Sequence, residues 1–150
     1  MPISFQPVTR HNFDAVLGLQ ITPAQTAILP RGFGACFSLA RAYLKTEGDS
    51  FNYFPRAIYH DEILVGYIML QYDPAESSSS GISEFFIDHR FQRRGYGRAA
   101  LTLAIEWLKE HARASHIHLL CELENAPARA LYFSAGFKNS GRTRFFLLHV

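Results

Sequence analysis

Cysteine is scarce in this sequence: its 150 residues hold two, Cys36 and Cys121, far apart and in no metal-type spacing. No disulfide framework is implied, and both read as reduced thiols of a cytosolic protein. Long apolar runs are missing too. None could span a bilayer, and the opening MPISFQPVTRHNF lacks the continuous apolar core of a signal peptide. Charge of one sign is likewise absent. The formal net charge is +2, so no broad surface for nucleic acid or an anionic membrane is implied, and any basic site must be local. His111, His116 and His118 stand close together, but no carboxylate or cysteine completes a metal-ligand spacing, so no metal is expected. What remains is an ordinary globular balance, 48% hydrophobic and 19% charged, sufficient for one core. A single cytoplasmic domain over residues 1–150 is the expectation.

Periodicity supplies the elements. ISFQPV (3–8) alternates as a first strand should. Thr9 and Asn12 are helix-capping types ahead of a short helix carrying Phe13, Val16 and Leu17. Residues 21–34, with Pro23, Pro30, Gly32 and Gly34, read as mostly loop, and 36–44 as a second helix. Strands at 54–60 and 63–72 flank Asp61-Glu62. The serine-rich 73–81 reads as a polar loop before a strand at 82–88. A long helix over 95–113, a strand at 116–123, a helix at 126–135 capped by Asn125, and a C-terminal short strand, turn and long strand complete the order. The class is α/β: a mixed central sheet with helices on both faces.

The densest signal is FQRRGYGRAAL, residues 91–101. A P-loop needs GxxxxGK followed by Ser or Thr, which this chain lacks. The dinucleotide fingerprint GxGxxG/A matches literally at Gly95, Gly97 and Ala100, but six residues separate it from the preceding strand and too little chain follows. A strand end, a loop and a glycine-rich helix start can instead form an anion nest of backbone N–H groups reinforced by the helix dipole. Arg93, Arg94 and Arg98 would add charge there. An ordinary capped helix with a solvated basic turn is the competing reading.

The wider phrase IDHRFQRRGYGRAAL (87–101) resembles the central motif of the GNAT superfamily of N-acetyltransferases, and CELENAPARALYFSAGF (121–137) resembles that family's second motif. Within the superfamily the wording is most similar to the short bacterial spermine/spermidine acetyltransferases, as is SLARAYL (38–44), whereas ILPRGFGAC (28–36) departs from them in its extra glycines. The resemblance implies a GNAT fold with a sheet of six to seven strands whose central strands splay. It implies acetyl-CoA as co-substrate and direct transfer of acetyl to a primary amine of a small molecule, a polyamine first. Protein or peptide acetylation and a non-catalytic acyl-CoA sensor are the alternatives. The loops at 21–34 and 73–81 would close or border the acceptor groove, and an exposed C-terminal strand edge leaves room for a homodimer.

Roles follow from that resemblance and from the chemistry. Alkylamines titrate near about 10.4, so a base must take the attacking amine's proton. Glu122, Glu124 and Glu84 are candidates, with Glu122 first because its strand reaches the cleft. The oxyanion donor maps to a backbone N–H near Phe86 or Ile87, on a strand segment that also pairs with the pantetheine arm. Gln92, Arg93, Arg94, Gly95, Tyr96, Gly97 and Arg98 would hold the phosphates, and Asn125 the CoA arm. Tyr132 would protonate the leaving thiolate. Acetylation of Cys121 would need a depressed thiol pKa. Asp73, Glu76, Glu84, Glu122 and Glu124 are the acid groups available to a polycation.

Overall fold

The computed structural model describes residues 2–29, 33–139 and 143–150. Its element order is β1 (Ile3–Pro7), α1 (Phe13–Leu17), α2 (Pro23–Ile28), α3 (Ala35–Tyr43), β2 (Asn52–His60), β3 (Ile63–Asp73) and β4 (Glu76–Ile87). A single 3-10 turn (His89–Phe91) then leads to α4 (Tyr96–His111), β5 (His116–Leu120), α5 (Ala126–Ser134) and β6 (Phe145–His149).

The six strands lie side by side in chain order. Every neighbouring pair is antiparallel except β4 and β5, which are parallel and joined by the α4 crossover. Alternation along β2 and β3 sends Ile58, Ile68 and Leu70 into one core with α4 and α5. Ala57, Tyr67 and Met69 enter a second core beneath α1 and α3. Helices therefore cover both faces, as the sequence pattern implies. The expected short strand after Gly136 reduces to one bridge, Lys138 to Leu147.

Two segments expected as loops are ordered elements. Within 21–34, Pro23–Ile28 is the helix α2. Its cause is a capping box: the Gln25 N–H donates to Thr22 Oγ1 at 3.2 Å, the Thr22 N–H donates to Gln25 Oε1 at 3.0 Å, and Pro23 opens the helix. Pro30 and Gly32, also assigned to that loop, lie outside the described residues. The serine run is not a loop either, because β4 begins at Glu76 and Tyr72 pairs with Ser80. Ladder hydrogen bonds across the hairpin outweigh the weak strand preference of serine. The tight turn is held by the Ala75 N–H donating to the Asp73 carboxylate at 2.9 Å.

Neither asparagine acts as the expected helix cap. The Asn12 side chain accepts from the Thr9 N–H at 2.8 Å and donates to Pro7 O at 3.1 Å, locking the turn before α1. Asn125 precedes α5 without a side-chain capping bond, which leaves its amide for other work. Strand β5 stops at Leu120, short of the expected Leu123, because the chain turns as the Asn125 N–H reaches Glu122 O at 3.0 Å.

Candidate active site

The parallel pair β4–β5 is short. Pairing covers Ser80–Ile82 against Ile117–Leu119 and then stops. At that point β4 carries a bulge: Met69 faces Glu84 and Leu70 faces Ile82, leaving Ser83 as the extra residue. Beyond the bulge the strands part, and a cavity of about 480 Å³ opens between their ends, α2 and the starts of α4 and α5. Past Ile82 the β4 edge facing this gap has no partner strand. The Asp88 N–H donates to Val65 O at 2.8 Å, so antiparallel alternation turns the Phe86 N–H into the β3 ladder and the Phe85 and Ile87 N–H groups toward the gap. Of Phe86 and Ile87, both expected at the oxyanion, Ile87 has the suitable orientation.

At one end of the gap the chain folds into a tight turn ahead of α4. Arg93 has φ 63° and Gly95 has φ 84°, so two left-handed residues curl the backbone just before α4. The first intrahelical bond runs from the Ala99 N–H to Gly95 O at 3.1 Å, and the N–H groups ahead of it have no helical acceptor. Gly97 is informative for a different reason. A Cβ there would meet Leu131 Cδ2 at 3.6 Å and Ile87 Cγ1 at 3.8 Å, ordinary contacts that the fold would tolerate. Packing therefore does not require a glycine here, and its bare backbone faces the cavity.

The side chains around this turn divide by role. Arg93 lines the cavity, whereas Arg94 lies over the Phe91 ring at 5.7 Å and Arg98 is exposed on the first helical turn, outside the lining. Tyr96 offers only its backbone, since its ring is buried and its hydroxyl lies 3.3 Å from His60 Nδ1. The Gln92 amide is occupied internally, donating to Ile87 O at 2.9 Å and Gln25 Oε1 at 3.0 Å. It ties α2 and the α4 turn to the end of β4. Asp88, 1% exposed, anchors the same corner by accepting from the Gln20 N–H at 2.9 Å and Arg90 Nε at 2.7 Å. Although burial raises its pKa, these bonds hold the carboxyl below the usual carboxylate range.

The acid–base groups sit along the walls. Tyr132 of α5 lines the cavity, fixed edge-on by Phe137 and Phe146 at 5.9 and 5.8 Å. Burial, with the neighbouring Cys121 thiol, pushes its phenol pKa well up, so it carries its proton at neutral pH. Burial also pushes the Cys121 thiol up to about 11, and its S–H points at Glu122 O at 3.6 Å. That is the opposite of what a covalent acetyl-cysteine route needs. Asn125 lines the same wall.

The expected carboxylates fare differently. Glu122 lines the cavity but is paired with Arg144 at 2.7 Å. Glu124 is exposed and outside the lining. Glu84 is 6% exposed, and its Oε2 is buried without a hydrogen-bond partner. Burial raises its pKa to about 7, opposed by the Gly34 N–H and by Arg41. Asp73 and Glu76 stand apart from the cavity, so the acid groups considered for a polycation do not converge there. Arg41, which lies within SLARAYL, also lines it, as do Gln71 and His118, which belong to neither of the two quoted family motifs. Burial lowers the His118 pKa, which keeps its imidazole neutral at pH 7. Its one sequence signal is the period of two in HIHLL, which sets it opposite Ile117 and Leu119. Among the described residues no group of three or more metal-ligating side chains occurs, and no helix is long and apolar enough to cross a membrane.

Comparison with known proteins bears on this arrangement. The model of the acetyltransferase (GNAT) family matches residues 22–137. A spermine/spermidine N(1)-acetyltransferase of Bacillus subtilis is 28% identical over 152 residues, covering 97% of this chain and 93% of that protein. Among solved structures, an acetyltransferase from Thermus thermophilus superposes with a TM-score of 0.70 at 20% identity, covering 100% of this chain and 98% of that one. A spermidine N-acetyltransferase from Vibrio cholerae, in complex with CoA and spermine, superposes with a TM-score of 0.72 at 15% identity, covering 98% and 95%. These two structures share its fold.

Proposed function

The chain belongs to the GNAT acetyltransferase family, and on that premise we propose that Glu84 and Tyr132 serve as base and acid in direct acetyl transfer from acetyl-CoA to a small primary amine. The observation that carries this reading is their placement in one cavity beside the free edge of β4. Glu84 titrates near neutrality and Tyr132 stays protonated there. A base poised near the working pH and an acid that holds its proton are what an amine nucleophile and a thiolate leaving group require.

The residues present fit acetyl-CoA. The backbone from Arg93 to Gly97 and the N-terminus of α4 suit its pyrophosphate, Arg93 adds charge, and the open face of Gly97 admits close approach. The β4 edge suits the pantetheine arm as an added strand, with Asn125 across from it. In the reaction the amine nitrogen bonds to the thioester carbon, and the Ile87 N–H donates to the developing oxyanion. Beforehand the Glu84 carboxylate takes one proton from the bound ammonium through Oε2, which frees the lone pair for this attack, and the nitrogen's second proton passes to solvent as the tetrahedral intermediate collapses. As the C–S bond breaks, the Tyr132 hydroxyl gives its proton to the sulfur. The products are an acetamide and free CoA, and solvent returns both side chains to their starting states. Glu122, held by Arg144, shapes the rim instead of taking the proton.

Polyamines are the acceptors that the Bacillus subtilis relative supports, and α2 beside the cavity suits a small molecule better than an extended peptide. A single domain over 1–150 fits one sheet flanked by two cores. A cytoplasmic setting fits the use of acetyl-CoA, and a homodimer through the C-terminal edge at β6 is the assembly that light scattering would test.

The test is CoA release from acetyl-CoA with spermidine, spermine, simple diamines and short peptides, beside Glu84→Gln and Tyr132→Phe. Turnover with a polyamine, reduced at least a hundredfold in each variant, is the expected result. Peptide turnover alone would transfer the reading to a protein acceptor. Tight CoA binding without any turnover would leave a sensor.

A further inference from the structure

A second cavity, about 540 Å³, lies between α1, α2 and α3. It abuts the first one: Ile21, Leu29, Phe33 and Phe86 line both, and the Phe33 and Phe86 rings stand 5.7 Å apart at the shared wall. Among the described residues no charged side chain lines it, and its polar side chains are those of Gln20, Thr26 and Cys36. Two of its walls, Leu17 and Phe37, are 39% and 59% exposed, so part of this apolar lining faces solvent.

Charge along the path from one cavity to the other decides what could occupy both. Two carboxylates line the first cavity, and one of them, Glu122, is already neutralised by Arg144. Glu84 is the one left to meet an ammonium, with Arg41 lining the same cavity and acting on it electrostatically. A long polycation placed through both compartments would find no anionic partner for its further ammonium groups among the described residues. A molecule with one ammonium and an apolar body would leave no charge unmatched and would cover Leu17 and Phe37.

We propose that the α1–α2–α3 compartment is an acceptor subsite that takes the apolar body of an aryl- or alkyl-substituted primary amine, whose amino group meets Glu84. The proposal rests on the amine-acetylating reading of the first cavity and adds a class of acceptor to the polyamines. Ile21, Leu29, Phe33 and Phe86, which line both compartments, mark where such a body would cross from one to the other.

The experiment compares kcat/KM for 4-phenylbutylamine and hexylamine with that for butylamine, with spermidine alongside. Each buried methylene contributes about fourfold, so 4-phenylbutylamine is expected at least about tenfold above butylamine. Leu17→Asp and Phe37→Asp, both at exposed positions, are expected to lower that ratio at least fivefold. Leu44→Asp, on the exposed end of α3 and outside the compartment, is expected to leave the ratio unchanged. A ratio near one, or a ratio indifferent to Leu17→Asp and Phe37→Asp, would overturn the subsite. If no amine, spermidine included, is acetylated, the amine-acetylating reading fails separately. Calorimetry of 4-phenylbutylamine with CoA-saturated protein then decides: binding weakened by the two substitutions supports the subsite, and absence of binding refutes it.

Discussion

The two ends of the cavity between β4 and β5 are built in different ways. The end assigned to CoA is made of backbone: two left-handed residues, a helix N-terminus, a bare Gly97 and a strand edge without a partner strand. The acceptor end is made of side chains brought from separate elements, Glu84 from β4, Arg41 from α3, His118 from β5 and Gln25 from α2. A backbone site depends on few residue identities beyond its glycines and survives wide sequence change around it. A side-chain site changes with each substitution. One scaffold can therefore keep its donor while its acceptor varies.

That contrast can be broken from either side. The largest effect is expected at the acceptor end, where Glu84→Gln should lower kcat about 10²- to 10⁴-fold with little change in KM for acetyl-CoA, read by steady-state kinetics. Tyr132→Phe should lower kcat about a hundredfold, again with acetyl-CoA binding retained, because the phenol acts on the departing sulfur.

At the donor end the two glycines should separate. Gly97→Ala is expected to raise KM for acetyl-CoA about tenfold while thermal stability stays within about 0.5 kcal/mol, since its Cβ meets only ordinary contacts. Gly95→Ala is expected to cost about 1–2 kcal/mol of stability by forcing an alanine to φ 84°, measured by denaturant unfolding.

A subtler effect concerns pH and stability. Glu84 has a folded pKa of about 7 against an ordinary value of 4.5, so the folded state holds the extra proton between those limits. Stability should fall as pH rises through that window, by roughly 2–3 kcal/mol at most, and Glu84→Gln should flatten the decline.

Legibility in the sequence follows the same division. The turn before α4, the paired motifs and Tyr132 were readable because glycine spacing and helix starts are local properties. Helix α2 is signalled by Thr22-Pro23-Ala24-Gln25, but Pro23, Pro30 and the glycines of the same segment are equally loop signals. The serine run misled because strand pairing with β3 is not a local property. Strand position alone does not separate Glu122 from Glu84; they differ in burial and in a partner, Arg144, that lies 22 residues from Glu122 in the chain. Arg41 and His118 carry no local signal that would place them together. The apolar compartment depends on how three short helices pack, which no single segment encodes.

The most direct measurement is kcat against pH at saturating acetyl-CoA and amine, for the wild type and for Glu84→Gln. The expected wild-type profile rises through an inflection near 7 as Glu84 loses its proton, and the variant is slow with that inflection gone. Full activity in Glu84→Gln, with the same inflection, would contradict the assignment of Glu84 as the base.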